Sequence, residues 1–270
     1  MRLMTLNTHS LIEENYNEKL DIFVKNVSRI KPDIIAMQEV NQSIDAPVIK
    51  GAKNLVPNSE CIPIKRDNHA LSVCAKLYIN GITYHFMWLG IKKGYGKFEE
   101  GVALLSRKQI DAAKTYLISS TDDFNNWKTR KVLGIKVCDN WFYSIHTGRF
   151  DDTEEPFKEQ WERLNNFLLP QKNVWLMGDF NCPANRKNEG YDMILSSGWS
   201  DTYLMALKKD DGITVVNEID GWRENKTKIS GSRIDYIFTN NPTTIKSSKV
   251  VFNGQNADFV SDHCGIIVDV

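Results

Sequence analysis

Val174-Trp175-Leu176-Met177-Gly178-Asp179-Phe180-Asn181-Cys182-Pro183 decides how the rest of the chain is read. Four consecutive apolar residues before a glycine read as a short strand covered on both faces. The strand runs straight into Asp, Asn and Pro. These are ordinary turn formers, and on their own they are as well explained by a turn as by chemistry. Asp179 and Asn181 also offer oxygen ligands at the end of a buried element, where a cation or a phosphate could be met.

The same conjunction recurs along the chain. A strand over Leu3–Thr8 carries Asn7 at its end, Ile34-Ile35-Ala36-Met37 stops at Gln38-Glu39, and Phe142-Tyr143-Ser144-Ile145 closes on His146. Asp235 lies in a strand over Ile234–Thr239, and Ser261-Asp262-His263 precedes a last strand over Gly265–Val270. Further strands are expected over Thr83–Leu89, Val102–Ser106, Val132–Val137 and Lys249–Phe252. Leu20, Phe23, Val24, Val27 and Ile30 recur at helical spacing within Asn17–Ile30, which Pro32-Asp33 ends; helices are also expected over Pro156–Leu168 and Gly190–Ser196. Strands outnumber helices and come in two batches with helical insertions, the pattern of two packed sheets flanked by helices. With no linker or repeat, residues 1–270 read as a single domain. In such a layered α/β protein strand ends gather at one edge, so distant side chains can meet there.

The remaining composition narrows the class. The 270 residues are 41% hydrophobic and 25% charged, as in a globular protein, and Lys plus Arg equal Asp plus Glu at 34 each, so no global positive field attracts a polyanion. Cys61, Cys74, Cys138, Cys182 and Cys264 are odd in number and lack metal-site spacing. They suit reduced thiols. No apolar run approaches the roughly 18 residues of a membrane span, and no leader pattern opens the chain. A cytoplasmic protein without a membrane or an evident protein partner is expected.

A set of carboxylate and amide oxygens without Cys suits a hard cation, Mg²⁺ or its substitute Mn²⁺, better than Zn²⁺. That leaves His146 and His263 for proton transfer. A histidine closing an apolar run, as His146 does, is by itself as often a core residue. The adjacent Asp262 and His263 need not touch, because neighbours on a strand face opposite ways. His9, His69 and His85 have no comparable setting and read as structural or surface residues.

Taken together, Asn7, Met37-Gln38-Glu39, Gly178-Asp179-Phe180-Asn181, Arg233-Ile234-Asp235-Tyr236-Ile237-Phe238 and Ser261-Asp262-His263 resemble the endonuclease/exonuclease/phosphatase superfamily in order and spacing over nearly the whole chain. The resemblance implies a DNase I-like four-layer α/β/β/α sandwich with its site at one edge of the sheets. It implies Glu39 as principal metal ligand beside Asn7, with Asp179, Asn181 and Asp262 lining the second part of the metal and phosphate site. His146 and His263 would flank the phosphorus, oriented by Glu100 and Asp235 respectively, with Glu99 the alternative to Glu100. His263 is expected to act as base on the attacking water; His146 or the metal would stabilise the leaving alkoxide.

The expected substrate is a small sugar phosphate. Cationic and aromatic residues crowd Lys92–Phe98, Trp127–Lys131 and His146–Asp152, from which Lys93, Tyr95, Lys97, Arg130 and Arg149 are expected to hold a phosphate and stack on a sugar. With Glu154–Lys158 and Asp220-Gly221-Trp222, these loops resemble the bacterial branch that contains maltose 6′-phosphate phosphatases. A nuclease or other phosphodiesterase is the alternative, disfavoured because no basic stripe with interleaved aromatics is evident. A binding module that has lost catalysis is a third reading, opposed by the competent residue at every expected polar position.

Overall fold

Hydrophobic alternation and helical spacing resolve into strands β1 (Arg2–Asn7), β2 (Ile34–Ser43), β3 (His85–Gly94), β4 (Phe98–Ser106), β5 (Ala112–Leu117), β6 (Lys131–Val137), β7 (Asn140–His146), β8 (Val174–Asp179), β9 (Ser200–Asp201), β10 (Lys208–Lys209), β11 (Asp235–Thr239), β12 (Ser247–Val251) and β13 (Gly265–Asp269). The helices are α1 (Tyr16–Ile30), α2 (His69–Ile79), α3 (Phe157–Leu168), α4 (Gly190–Ser196) and α5 (Thr202–Met205). The structure, a computed structural model, describes residues 1–57, 62–220, 222, 229–241 and 243–270. Cys61 and Gly221 lie outside the described residues.

One sheet has seven strands in the order β10-β12-β13-β1-β2-β4-β3, the other six in the order β5-β6-β7-β8-β11-β9. Alternation along each central strand sorts its side chains between two layers. In β1, Leu3 faces the second sheet, where it joins Ile34, Ala36, Leu104, Leu133, Phe142 and Trp175, while Met4 and Leu6 face the other way onto Leu20, Phe23, Val24 and Val27 of α1. On the far side, Tyr143, Ile145 and Leu176 pack against Phe157, Trp161, Leu164 and Leu168 of α3. Three apolar seams therefore separate four layers, α/β/β/α, the DNase I-like arrangement expected from the motifs. Burying each of the large α1 side chains contributes about 1.5–3 kcal/mol.

The sequence spacing does not mark α2, β5 or the short elements β9, α5 and β10. α2 has a readable start, since the Asn68 side chain accepts from the Leu71 N–H, and Ala70, Val73, Cys74 and Leu77 line its buried face. Its overall apolarity hides the helical period. β5 is a largely exposed strand, AAKTYL, with little alternation to reveal it. β4 begins at Phe98 rather than Val102 because Glu99 and Glu100 continue the ladder, opposite Lys93 and Lys92 of β3.

His69, expected to be structural or superficial, is buried under α2, where its Nδ1 lies 2.9 Å from the Tyr16 hydroxyl. Burial pushes its pKa down to about 3. The unfolded chain takes up a proton at this side chain below about pH 6.5, whereas the folded protein refuses it until near pH 3, so stability falls as pH falls through that window, by about 1.4 kcal/mol per pH unit. Urea unfolding at pH 6.5 and 4.5 should show a steeper loss in the wild type than in His69→Gln; equal losses would refute this account.

Candidate active site

Strand register brings the site together. His146 at the end of β7 and Asp235 at the start of β11 both stand opposite Asp179 at the end of β8, so three functional side chains lie side by side across neighbouring strands. In the other sheet, the register of β2 against β4 shifts between Met37 and Val40, and Glu39 has a positive φ of 52°. This bulge re-aims the carboxylate. Gln38 turns inward, where its Nε2 donates to Ser144 Oγ at 2.9 Å, and Glu39 turns to the sheet edge. Asn7 Nδ2 donates both to Glu39 Oε1 at 2.9 Å and to Asp179 Oδ2 at 3.1 Å, linking the two sheets.

Asp235 Oδ2 lies 3.0 Å from His263 Nδ1, while His263 Nε2 lies 3.8 Å from Asp179 Oδ2. Burial opposes charge on His263, but Asp235, Asp179 and Asp262 outweigh it and raise its pKa well above the ordinary value. The Asp235 carboxylate thus favours the protonated form of the imidazole. Burial, with the negative charge of Asp235, raises Asp179 to about 7. His146 behaves oppositely: burial, then the positive charges of Arg130, Lys92 and His263, push it well below the ordinary histidine value. Its Nε2 sits 3.8 Å from Asp179 and 3.9 Å from Glu39.

The expected partner of His146 requires a correction. Glu100 does face the site while Glu99 faces away, but the Glu100 carboxylate pairs with Lys92 Nζ at 3.1 Å and makes no bond to His146. The register that sets Lys92 directly opposite Glu100 explains the choice. Glu99, on the other face of β4, pairs with Lys65 at 3.0 Å.

A cavity of about 270 Å³ opens above these groups, lined by Glu39, Glu100, His146, Asp179, Asn181 and His263. Lys93, Tyr95, Arg130 and Arg149 also line it. Lys97 does not; it is exposed, with its ammonium 5.0 Å from the Phe98 ring, because the β3–β4 turn carries it outward. Asp262 stands apart from its neighbour His263, in a cluster with His9 and Glu13 whose ligand atoms lie within 4.8 Å of one another.

His9, expected to be a structural or surface residue, is buried beside the site. Its Nδ1 lies 2.7 Å from Glu13 and its Nε2 3.4 Å from Asp220. Burial opposes its charge, yet the Glu13 hydrogen bond and the charges of Asp262 and Glu39 raise it to about 9. Its position two residues after Asn7 was the signal available in the sequence. Lys92, Trp127 and Trp222 also line the cavity and were not singled out.

Trp222 has a specific task. Its Nε1 donates to Asn181 Oδ1 at 2.9 Å while Asn181 Nδ2 donates to the Thr147 carbonyl at 3.0 Å, so both ends of the amide are held. The Arg149 and Arg186 guanidinium groups lie 5.5 Å and 5.2 Å from the indole ring. Trp222→Phe keeps an apolar ring but frees Asn181; one lost hydrogen bond of about 1 kcal/mol should lower kcat/KM by about fivefold, with little change in melting temperature. Steady-state kinetics beside a thermal melt checks this, and wild-type kinetics would refute it.

The sequence pattern of the Endonuclease/Exonuclease/phosphatase family matches residues 4–263. The chain belongs to the endonuclease/exonuclease/phosphatase family. No curated protein matches the sequence. A solved structure of an endonuclease/exonuclease/phosphatase family protein from Leptotrichia buccalis is 34% identical, with a TM-score of 0.85 over 100% of this chain and 98% of that one. A mannosyl-6-phosphatase from Bacteroides thetaiotaomicron is similar at 16% identity and a TM-score of 0.65, over 100% of this chain and 98% of its own. A 3′ phosphatase from Neisseria bound to a product DNA hairpin is similar at 18% identity and a TM-score of 0.61, over the same shares. At such identities the last two speak for the fold alone.

As a member of the endonuclease/exonuclease/phosphatase family, the protein is a hydrolase of phosphoester bonds. The residues present fit a divalent cation. Glu39 and Asp179 offer carboxylate oxygens on either side of the Asn7 amide, and burial, with the neighbouring charges of Glu100 and Asp262, raises the Glu39 pKa. Among the described residues no helix is long and apolar enough to cross a membrane.

Proposed function

We propose that the protein is a cytoplasmic, Mg²⁺-dependent phosphomonoesterase, with Mn²⁺ as a substitute ion, that releases phosphate from a sugar phosphate of the maltose 6′-phosphate type. The observation that carries this reading is the cavity: about 270 Å³, it joins the His263–Asp235 pair and Glu39 to a wall of Lys92, Lys93, Arg130 and Arg149. Such a space takes a small molecule, and its exposed rings, Tyr95 and Trp127, offer apolar faces to a sugar. The fold shared with a mannosyl-6-phosphatase agrees with it. A charged sugar phosphate does not cross a membrane unaided, which agrees with action inside the cell.

A divalent cation held by Glu39 and its neighbours would neutralise phosphate oxygens and the leaving alkoxide. The chain's own residues supply the rest. His263, held by Asp235, which favours its protonated form, donates to a non-bridging oxygen in this reading. Asp179, fixed by Asn7 at 3.1 Å and by the Asn181 backbone N–H at 2.8 Å, accepts the proton of the in-line water. His146, kept neutral, has no proton to spare for the alkoxide; it donates one N–H to the phosphate.

Phosphate release by chelator-stripped protein, with and without Mg²⁺, from matched panels of sugar phosphates, phosphodiesters and plasmid DNA tests the reading. Mg²⁺-dependent release from sugar monoesters, much faster than cleavage of diesters, is expected. Cleavage of diesters or plasmid alone would replace it with a nuclease, and metal binding without turnover of any ester would replace it with a binding module.

A further inference from the structure

We infer that Lys92 and Arg130 form a paired-cation seat that selects the dianion of a phosphate monoester over the monoanion of a diester, an inference that rests on the phosphomonoesterase reading above. Both side chains are buried, with about 7% of each residue exposed, and both line the cavity. They come from different elements, Lys92 from β3 and Arg130 from the segment before β6, yet both donate to one atom. Lys92 Nζ and Arg130 Nη1 each lie 2.9 Å from the Trp127 carbonyl oxygen.

Gathering two positive charges around one neutral oxygen in a low-dielectric wall is unfavourable unless an anion answers them. Glu100 answers Lys92 at 3.1 Å, but among the described residues no carboxylate lies within ion-pair distance of Arg130, its Nη1 bonds only to backbone carbonyls and its Nε is buried without a partner. The opposite face of β4 shows the ordinary structural solution, in which Lys65 and Glu99 pair at 3.0 Å with no second cation. Among the described residues, Arg130 is thus left without a contact ion pair on the cavity wall. A buried anion of the substrate is what it lacks.

The chemistry of the two ester classes differs at this point. A monoester dianion presents a third terminal oxygen and a second negative charge, whereas in a diester that oxygen carries an alkyl group and no charge. A seat made of an ammonium and a guanidinium rewards the former and leaves both cations unanswered with the latter, so it discriminates by both attraction and penalty.

The test compares Mg²⁺-loaded wild type with Arg130→Gln and with the doubly neutral Lys92→Met/Glu100→Gln, which removes an ion pair without stranding a buried charge. The readout is the ratio of kcat/KM for p-nitrophenyl phosphate to that for bis(p-nitrophenyl) phosphate. Both variants should lower the ratio by about tenfold or more. Equal losses on the two esters, with the ratio kept, overturn the inference and leave the phosphatase reading standing. A wild type that releases no phosphate from any monoester overturns both, and is seen before any substitution is made. If a variant does not fold, competitive inhibition of the wild type decides the matter: inorganic phosphate at pH 8 should inhibit at least about tenfold more tightly than dimethyl phosphate, and equal inhibition constants overturn the proposal.

Discussion

His263→Ala is expected to lower kcat by about 10³-fold or more while circular dichroism stays that of the wild type. The size follows from where the imidazole stands. It lies within 3.8 Å of Asp179 and is held in one orientation by Asp235, so its loss removes a positioned charge at the reacting phosphate, and no other histidine is placed to substitute: His146 is neutral and His9 is engaged with Glu13. The fold should survive because His263 follows the Ser261 turn, whose hydroxyl bonds to the Asn7 carbonyl at 2.7 Å independently of the imidazole. Initial rates on a monoester at saturating Mg²⁺ check the prediction. Activity within tenfold of the wild type would remove His263 from the chemistry.

Glu39→Gln should act on the metal requirement instead. The substitution keeps the shape of the side chain and removes its charge. Partners one shell out from a metal commonly cost about 10–100-fold in metal affinity when lost, so a direct ligand should raise the Mg²⁺ concentration for half-maximal activity by about 100-fold, with partial recovery at high Mg²⁺. Glu99→Gln, on the opposite face of β4 with Lys65 as partner, is the matched control and should leave the Mg²⁺ dependence unchanged. An unaltered Mg²⁺ requirement in Glu39→Gln would show that the ion is held elsewhere, and the His9, Glu13 and Asp262 cluster would be the first place to look.

Much of this molecule is legible in one dimension. Apolar runs that end in Asn7, Glu39, His146 and Asp179 mark both the buried strands and the chemistry, because a covered strand needs apolar residues throughout and a polar one there is tolerated only where it emerges. The helical spacing of Leu20, Phe23, Val24 and Val27 marks α1 for the same reason. Charge partners are not legible in this way. Motif spacing places Glu100 on His146, whereas it stands on Lys92; it gives His9 no place at the site, and it counts Lys97 among the substrate contacts although that side chain points out. Each depends on which residue stands across a ladder or on which way a turn carries a side chain, and neither is written in local spacing.

The sequence by itself determined most of the buried strands, the layered class and an oxygen-rich donor set, since those follow from local periodicity and residue chemistry, while the order and spacing of its motifs carried the resemblance to a family of phosphoester hydrolases. Only the tertiary structure decided which histidine is favoured in its charged form and which in its neutral form. That outcome depends on burial combined with the sign of the neighbours across the strands, carboxylates around His263 and the two cations Lys92 and Arg130 near His146.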